Sequence, residues 1–246
     1  MKQNRLLSVY EKNQLLKYKF KEEDLLALGE LPVEYLTGFV EFCGLRIKVN
    51  RNVLIPRVES EELVQLISDF FLSLKNQLFY LEIGVGSGAI SLAFFAFLLK
   101  QGKIDQIGQF LVSDVSKKAL ILAQENFKNL FHQELAKKIK FLKSNLLDNF
   151  SKNKFNLIVA NLPYIPSDLI KSLDASVQNY EPLLALDGGQ TGFDLINKFL
   201  EQVINQDALA NKGKIFLEVH ETHDKKFLKK YFPNIEKSIE DKLKRY

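Results

Sequence analysis

Apolar and polar positions along this chain follow two patterns, one typical of buried strands and the other of helices. From residue 78 onward, short apolar runs predict strands, and apolar residues at helical spacing predict helices. The predicted strands cover residues 78–83, 110–113, 139–143, 155–160 and 214–219, and the predicted helices cover 89–99, 117–130 and 193–203. This alternation predicts an α/β fold with a mostly parallel sheet and helices on both faces. Ligands of such sheets bind at the carboxyl ends of the strands, near the point where the strand order reverses.

The N-terminal part of the chain follows different patterns. Residues 3–28 carry an imperfect apolar stripe, which predicts a helix. Alternation across residues 39–49 predicts a β-hairpin. Ser60 has a side chain suited to cap the helix that should begin near it. We therefore expect a small N-terminal helical segment and β-hairpin at residues 1–52, followed by the main domain at residues 53–246.

The composition, with 46% apolar and 26% charged residues, is typical of a globular protein. Cys43 is the single cysteine, so an internal disulfide is impossible, and we expect a packed thiol in a protein of the cytoplasm. The longest apolar run, residues 89–99, is shorter than the ~18 residues that a membrane span needs. The N-terminus leads into no long apolar stretch, so we expect neither a signal peptide nor a membrane partner.

The C-terminal residues carry a local excess of positive charge. Residues 225–246 contain eight Lys or Arg against three acidic residues. A solvated helix face explains this excess, and attraction for an acidic or RNA-rich partner is the alternative. His220 and His223 lie in a His-Glu-Thr-His sequence that lacks the spacing of the zinc motif, so we expect no metal site.

A glycine-rich turn follows the strand predicted at residues 78–83. Glycines in such a turn permit positive φ and let a ligand approach the backbone, while free N–H groups at the helix start can face a carboxylate or ribose. Asp114 follows the strand predicted at residues 110–113 and could accept both ribose hydroxyls, although capping of the following helix, a role that Ser116 could serve equally, is the alternative. Leu146 follows the third strand and could form an apolar wall for an adenine ring. The candidate cofactor residues are Gly84, Val85, Gly86, Ser87, Gly88, Asp114, Leu146 and Asn161.

The tetrapeptide Asn161-Leu162-Pro163-Tyr164 follows the strand predicted at residues 155–160. The Asn161 side-chain oxygen and the Leu162 carbonyl can each accept an N–H from a planar amino group. Pro163 stiffens the turn, and Tyr164 can lie against the planar group and exclude water. Beside a cofactor turn on the same sheet edge, these residues predict methyl transfer from S-adenosylmethionine to an amide or exocyclic amine nitrogen. A proline turn with a core tyrosine is the structural alternative.

Five segments make the chain resemble the release factor glutamine methyltransferase family, also called HemK or PrmC. They lie at residues 32–38 (PVEYLTG), 53–61 (VLIPRVESE), 81–89 (LEIGVGSGA), 161–164 (NLPY) and 180–189 (YEPLLALDGG). The resemblance covers most of the chain, from about residue 32 to residue 219. It implies a Rossmann-like, doubly wound sheet of the class I S-adenosylmethionine-dependent methyltransferases.

The family resemblance also implies an activity and a partner. Members methylate the side-chain amide of the glutamine in the Gly-Gly-Gln motif of class I peptide chain release factors. By this resemblance, residues 84–88, Asp114, Leu146 and Asn161 would contact the cofactor, and residues 161–164 would hold the glutamine amide. The segments at 57–61 and 181–189 would line or cover the site, or else serve only as a helix start and a turn. The resemblance places the protein in translation termination. We expect a monomer, because each active site needs only one chain, and we expect no stable nucleic-acid binding.

The chain departs from the family pattern in four places. Leu162 replaces the first proline of the Asn-Pro-Pro-Tyr motif, which costs rigidity but keeps the carbonyl, and Val58 replaces another proline. Only 31 residues precede Pro32, where the family has a larger helical domain, so we expect docking to be weaker or to use other surfaces. The chain ends about where the family's last strand begins, so we expect a missing or shortened strand.

Three other functions remain open. Asn-Leu-Pro-Tyr is similar to the form in ribosomal RNA adenine dimethyltransferases, so a nucleic-acid adenine methyltransferase is one of them. Residues 164–191 argue against it, because Lys171 is the single basic residue there among several acids. The glycines alone also fit an NAD-dependent oxidoreductase, which gives residues 161–164 no role. A non-catalytic cofactor-binding protein is the last alternative.

Overall fold

The computed structural model describes residues 5–219, and a five-stranded parallel sheet forms the centre of this part of the chain. The strands are β1 (Phe39–Phe42), β2 (Leu45–Lys48), β3 (Leu78–Ile83), β4 (Ile107–Asp114), β5 (Ile139–Lys143), β6 (Phe155–Asn161) and β7 (Leu209–Glu218). The helices are α1 (Val9–Lys17), α2 (Glu22–Leu26), α3 (Val33–Thr37), α4 (Ser60–Ser73), α5 (Ala89–Lys100), α6 (Lys117–Leu130), α7 (Gln133–Ala136), α8 (Ala175–Tyr180) and α9 (Asp194–Asn205). The basic run at 225–246, His220 and His223 lie outside the described residues.

The strand order of the sheet is β5-β4-β3-β6-β7, and every neighbouring pair is parallel. The chain therefore builds outward from β3 on one side, then returns to the other side of β3 to place β6 and β7. This confirms the α/β, Rossmann-like, doubly wound sheet. The strand order reverses between β3 and β6, so the crevice expected to bind ligand lies beyond their carboxyl ends.

Both faces of the sheet are covered, as alternate residues of its central strands show. Tyr80 and Leu157 belong to one apolar cluster, whereas Leu81 and Ile158 belong to another. Successive side chains of a strand point to opposite faces, so the two clusters lie on the two sides of the sheet. Residues of α4, α5 and α6 fill the first cluster, and residues of α9 enter the second. The predicted buried helix is confirmed, because α5 is buried along most of its length.

The prediction of one continuous helix over residues 3–28 is wrong. Two short helices, α1 and α2, are separated by a turn in which Lys19 has a φ of 62°. The Ser8 hydroxyl accepts the backbone N–H of Glu11 at 3.2 Å and so caps the start of α1. An additional helix, α3, was not predicted and ends at Gly38, whose φ is 78°.

The predicted β-hairpin is confirmed by the antiparallel pairing of β1 with β2. Its turn residues, Cys43 and Gly44, have φ values of 48° and 72°, and positive φ at both positions is what a type I′ hairpin turn requires. Cys43 lies at the tip and is exposed, so the expectation of a packed thiol is wrong. Val40 and Ile47 pack into the same apolar cluster as the sheet face, which fixes the hairpin against the larger domain.

Candidate functional site

A cavity of about 370 Å³ lies beyond the carboxyl ends of the sheet strands. Its wall brings together nine of the residues that the sequence singled out: Gly84, Val85, Gly86, Ser87, Asp114, Leu146, Asn161, Leu162 and Pro163. Gly88 and Tyr164 are not part of this wall. The turns after β3 and β6 therefore face one common space, as the strand order leads one to expect.

The glycine-rich turn needs its glycines for two different reasons. Gly84, Gly86 and Gly88 have φ values of 74°, 53° and 86°, which residues other than glycine rarely adopt. A Cβ at Gly86 would meet nothing within 4 Å, so this position opens onto free space. A Cβ at Gly84 would lie 3.3 Å from Leu162 and 3.6 Å from the Asn161 carbonyl oxygen. Gly84 thus lets the turn after β6 come close to the turn after β3.

Gly88 lies where the turn meets the helices rather than at the cavity. A Cβ there would lie 3.4 Å from each of Ala123, Leu92 and Phe127. Its positive φ directs the chain into α5, whose first residue, Ala89, follows at once.

Asp114 is a buried carboxyl group on the cavity wall, with 9% of its surface exposed. It accepts the backbone N–H of Gly86 at 3.0 Å and that of Ser116 at 2.8 Å. Burial raises the pKa of Asp114, while these N–H groups oppose the rise. Ser116, not Asp114, caps α6, because its hydroxyl accepts the Ala119 N–H at 3.2 Å. The Asp114 carboxylate is therefore held at the cavity as an acceptor.

Leu146 is buried and has a φ of 50°, an uncommon value for leucine. Its neighbour Asn145 also contributes to the cavity wall. Together they close the side of the cavity that follows β5.

Glu82 is a cavity residue to which the sequence analysis gave no role. It is 1% exposed, and the hydroxyls of Ser91 and Tyr80 donate hydrogen bonds to its carboxyl group. Burial raises the pKa of Glu82 to about 8, and the charge of Asp114 adds to this rise. The sequence signal was a single acidic residue inside an apolar strand, which requires a buried partner.

Asn161 is connected to two residues that lie far away in the sequence. Its side-chain Nδ2 donates to the Ser60 hydroxyl at 3.2 Å, and that hydroxyl donates to Glu218 Oε2 at 2.6 Å. The expectation that Ser60 caps α4 is wrong, because Glu59 occupies the cap position and Ser60 directs its hydroxyl to Glu218. The sequence analysis missed Glu218 at the end of β7, because it lies 158 positions from Ser60 and no local pattern connects the two.

The remaining tetrapeptide residues differ in burial. Leu162 is 4% exposed and lines the cavity, as does the half-buried Pro163. Tyr164 is half-buried and packs against the apolar cluster that contains α9 residues. Burial raises the pKa of Tyr164, and the nearby charge of Glu218 adds to the rise.

The segments at 57–61 and 181–189 meet at the cavity. Arg57 forms a salt bridge of 2.6 Å with Glu181, whose side chain is 1% exposed. Residues from both segments line the cavity: Arg57, Ser60, Pro182, Leu184 and Ala185. Burial raises the pKa of Glu181, and Arg57 opposes the rise. The salt bridge therefore joins two walls that are 124 positions apart in the chain.

The second of these segments also supports the tetrapeptide from behind. Gly188 donates its N–H to the Ile165 carbonyl at 2.9 Å. A Cβ at Gly188 would lie 2.7 Å from Tyr164 Cα and 2.8 Å from the Pro163 carbonyl oxygen. Such distances leave no room for a side chain, so this glycine allows direct backbone packing. The segment thus has both of the roles considered from the sequence.

Residues 5–219 contain neither a cluster suited to a metal ion nor a helix suited to span a membrane. No group of three or more His, Cys, Asp or Glu side chains in this range could hold a metal ion. None of the helices described has the length and apolarity needed to cross a membrane.

Comparison with known proteins identifies relatives of this chain. Residues 58–173 match the family described as Methyltransferase small domain. The chain is 37% identical over 213 residues to the release factor glutamine methyltransferase of Lactococcus lactis subsp. lactis. This alignment covers 83% of this chain and 73% of that protein. It is 35% identical over 197 residues to the protein of the same name from Thermodesulfovibrio yellowstonii, covering 78% of this chain and 64% of the relative.

Further comparisons gave two other similar proteins. The Streptococcus pneumoniae protein of that name is 37% identical over 188 residues, covering 76% of this chain and 61% of its own length. The chain therefore spans less than two thirds of two of these three curated relatives. Among solved structures, the ribosomal protein L11 methylase from Lactobacillus delbrueckii subsp. bulgaricus aligns with a TM-score of 0.44 and 18% identity, over 71% of this chain and 66% of that one. On the strength of the Lactococcus relative, this chain belongs to the release factor glutamine methyltransferase family.

Proposed function

We propose that this protein transfers a methyl group from S-adenosylmethionine to the side-chain amide nitrogen of the glutamine in the Gly-Gly-Gln motif of class I peptide chain release factors. One observation carries the proposal: the glycine turn after β3 and the Asn161 turn after β6 line the same cavity at the switch point of the sheet. Membership of the family supplies the identity of the substrate.

The cavity wall suits S-adenosylmethionine at the glycine turn. The free space beside Gly86 and its positive φ would let a ligand approach the backbone. Asp114 would accept the ribose hydroxyls, and Leu146 would pack on the adenine ring. We assign the whole turn, residues 84–88, to cofactor binding, with Gly88 acting through the shape of the turn. Bound there, S-adenosylmethionine would supply an electrophilic methyl group on a sulfonium sulfur.

The turn after β6 suits a planar primary amide. Asn161 Oδ1 and the Leu162 carbonyl would each accept one N–H of the glutamine side chain, which fixes the plane of its nitrogen. Pro163 would stiffen the wall, and Tyr164 would lie against the amide and exclude water. An amide nitrogen is a poor nucleophile, so catalysis depends on positioning and desolvation, effects worth several kcal/mol. The proton can leave the nitrogen after attack, so no strong base is required.

An adenine amino group presents similar chemistry to the same turn. Residues 164–191, which follow the turn, carry one basic residue, Lys171, among several acids. A surface that follows a phosphate backbone needs clustered Lys or Arg, so this segment favours a protein substrate. Adenine methylation is therefore an outcome that the test must distinguish.

The remaining assignments follow from the proposed substrate. Release factors act in the cytoplasm during translation termination, so we place this protein there. One chain supplies every residue assigned to the site, which is consistent with a monomer. We assign residues 1–52 to substrate docking and residues 53–246 to catalysis, with no stable nucleic-acid partner.

The decisive experiment is a methyl-transfer assay with labelled S-adenosylmethionine. Purified unmethylated release factor, its Gly-Gly-Gln→Gly-Gly-Ala variant and ribosomal RNA are offered side by side. We expect label on the unmodified release factor alone, and no label with the Asn161→Ala enzyme.

Cofactor binding is measured separately by calorimetry. Asp114→Ala should weaken S-adenosylmethionine binding roughly tenfold to a hundredfold, because a charged acceptor worth about 1.5–3 kcal/mol is removed. Asp105→Ala is the matched control, because Asp105 is fully exposed and lies just before the start of β4, at the opposite end of that strand from Asp114. Label on RNA alone would overturn the proposal in favour of adenine methylation.

A further inference from the structure

A short chain of hydrogen bonds ends on the side chain of Asn161. Asn161 Nδ2 donates to Ser60 Oγ at 3.2 Å, and Ser60 Oγ donates to Glu218 Oε2 at 2.6 Å. The Asn161 side chain also hydrogen-bonds to Glu218 directly. Ser60 is 3% exposed, so water competes little for its hydroxyl. The three residues come from the start of α4 and the ends of β6 and β7.

The chemistry of these groups fixes the direction of the chain. An ionised carboxylate only accepts hydrogen bonds, so Glu218 receives the single hydroxyl proton of Ser60. The Ser60 oxygen can then only accept, and the Asn161 group that faces it must be the NH2. Because Glu218 also receives a bond from Asn161, both contacts require the same orientation of the amide. The other end of the amide, Oδ1, is left to face the cavity that Asn161 lines.

Two opposing sets of influences act on the Glu218 carboxyl group, and its hydrogen-bond donors favour the ionised form that accepts their protons. Burial raises the pKa of Glu218, and Glu59 adds to the rise. The hydrogen bonds from Ser60 and Asn161 oppose it, as does the positive charge of Arg57. The donors that favour the ionised form are thus the same groups whose orientation depends on it.

We propose that Ser60 and Glu218 are positioning residues that hold the Asn161 amide with Oδ1 toward the substrate. This inference rests on the proposed function, since the substrate is taken to be a primary amide. With Oδ1 toward the cavity, Asn161 accepts an N–H of the glutamine. With the amide reversed, its NH2 would face the NH2 of the substrate, and two donors would oppose each other. We call the hydrogen-bonded chain from Glu218 through Ser60 to Asn161 the relay. The relay therefore decides whether the glutamine amide nitrogen is held in position for attack on the methyl group.

The relay also explains two residues that a simple turn does not require. Ser60 gives no cap to α4, although it stands at the first helical position. Glu218 is a half-buried acid at the end of a strand and would be costly without partners. Each has a role once Asn161 must be held in one orientation.

Three variants test the relay by kinetics. Ser60→Ala removes the bridging hydroxyl, and Ser60→Thr keeps it. Glu218→Gln preserves the shape but introduces a donor, so the direction of the bonds is no longer forced. We expect Ser60→Ala and Glu218→Gln to lower kcat roughly tenfold to a hundredfold, because a misplaced substrate group costs about that much. The KM for release factor and the Kd for S-adenosylmethionine should change less than about threefold, and Ser60→Thr should restore most of kcat.

Two control variants separate the relay from general effects of mutation. Ser68→Ala removes another buried serine of α4. The Ser68 hydroxyl donates to the Val64 carbonyl at 2.8 Å, and Ser68 does not line the cavity. Glu134→Gln neutralises an exposed acid paired with Lys137. Neither should alter kcat. The inference is overturned if Ser60→Ala and Glu218→Gln keep kcat within about twofold, or if they weaken cofactor binding as much as they lower kcat.

A second measurement is independent of turnover. In protein labelled with ¹⁵N, the Asn161 side-chain amide signals are identified by their loss in Asn161→Ala. We expect their hydrogen exchange to be slow, and faster by about tenfold or more in Ser60→Ala, because the bond to Ser60 is gone. Equal exchange in both proteins would refute the relay even if the enzyme is active. If the unmodified enzyme methylates no release factor, the proposed function fails, and this exchange measurement still decides whether the relay orients Asn161.

Discussion

Glu82 illustrates how one buried side chain makes stability depend on pH. Its carboxyl group lies inside β3, is 1% exposed, and has a pKa raised by burial to about 8. The unfolded chain would ionise near 4.5, so folding favours the neutral form. The stability that this provides is fully present below about pH 4.5 and is lost as the pH rises through about 8.

This linkage predicts a difference between the unmodified protein and a Glu82→Gln variant. Glutamine is neutral at every pH, so the variant should lose less stability than the unmodified protein between pH 5 and pH 8. The gap should reach a few kcal/mol, since each unit of pKa shift is worth about 1.4 kcal/mol. Urea unfolding at a series of pH values, without cofactor, measures it. Parallel curves for the two proteins would show that Glu82 does not titrate in this range.

At the scale of elements, a comparison of two glycines distinguishes the strain of a positive φ from the need for free space beside a ligand. Gly86 and Gly102 both have positive φ, and a Cβ at either would meet nothing within 4 Å. Gly86 lines the cavity, whereas Gly102 lies in the turn after α5. Alanine at either position should therefore cost a similar amount of stability, about 1–2 kcal/mol.

The two alanine variants should differ in cofactor binding. A methyl group at Gly86 would occupy the space that a ligand needs to approach the backbone, so we expect Gly86→Ala to weaken S-adenosylmethionine binding at least about tenfold. Gly102→Ala should bind as the unmodified protein does. Calorimetric titration, with thermal unfolding to confirm equal stability, makes this comparison. Equal affinities in the two variants would remove Gly86 from the cofactor site.

The sequence predicted elements of the sheet domain well because their apolar patterns match their burial. The boundaries of β3, α6 and β5 agree with the predictions to the residue. Residues 3–28 were predicted poorly, since the apolar stripe there continues through a turn that Lys19 makes with a positive φ. A stripe reports which residues are buried, and it does not report where the backbone reverses.

The site was predictable where its residues follow strands, and not where it depends on distant contacts. The glycine turn directly follows β3, Asp114 and Asn161 are the last residues of β4 and β6, and parallel strands bring these ends to one edge. Glu218 and Ser60 are 158 positions apart, and no local pattern connects them. The Arg57–Glu181 salt bridge and the backbone packing of Gly188 are long-range contacts of the same kind.

At the scale of the whole molecule, Asn126 links the β-hairpin to the glycine-rich turn after β3. It is 2% exposed, and its Nδ2 donates to the carbonyls of Lys48 and Ser87, both at 2.9 Å. Its Oδ1 accepts the Lys48 N–H, also at 2.9 Å. One side chain of α6 thus holds the end of β2 and the glycine turn in fixed positions. The hairpin, although it precedes the sheet in sequence, is thus connected to the turn that we propose binds the cofactor.

Asn126→Ala should therefore affect both stability and cofactor binding. Three buried hydrogen bonds are lost, which should lower the free energy of unfolding by about 3 kcal/mol. Asn156→Ala is the matched control: Asn156 donates to the Gln77 carbonyl at 2.7 Å and accepts the Phe79 N–H at 2.9 Å, at the opposite end of β3. Both variants should lose stability in urea titrations followed by circular dichroism. Only Asn126→Ala should also weaken S-adenosylmethionine binding measured well below its unfolding transition, because only there does the Ser87 carbonyl lose its partner. If both variants bind the cofactor equally well, the hairpin supports the fold without shaping the site.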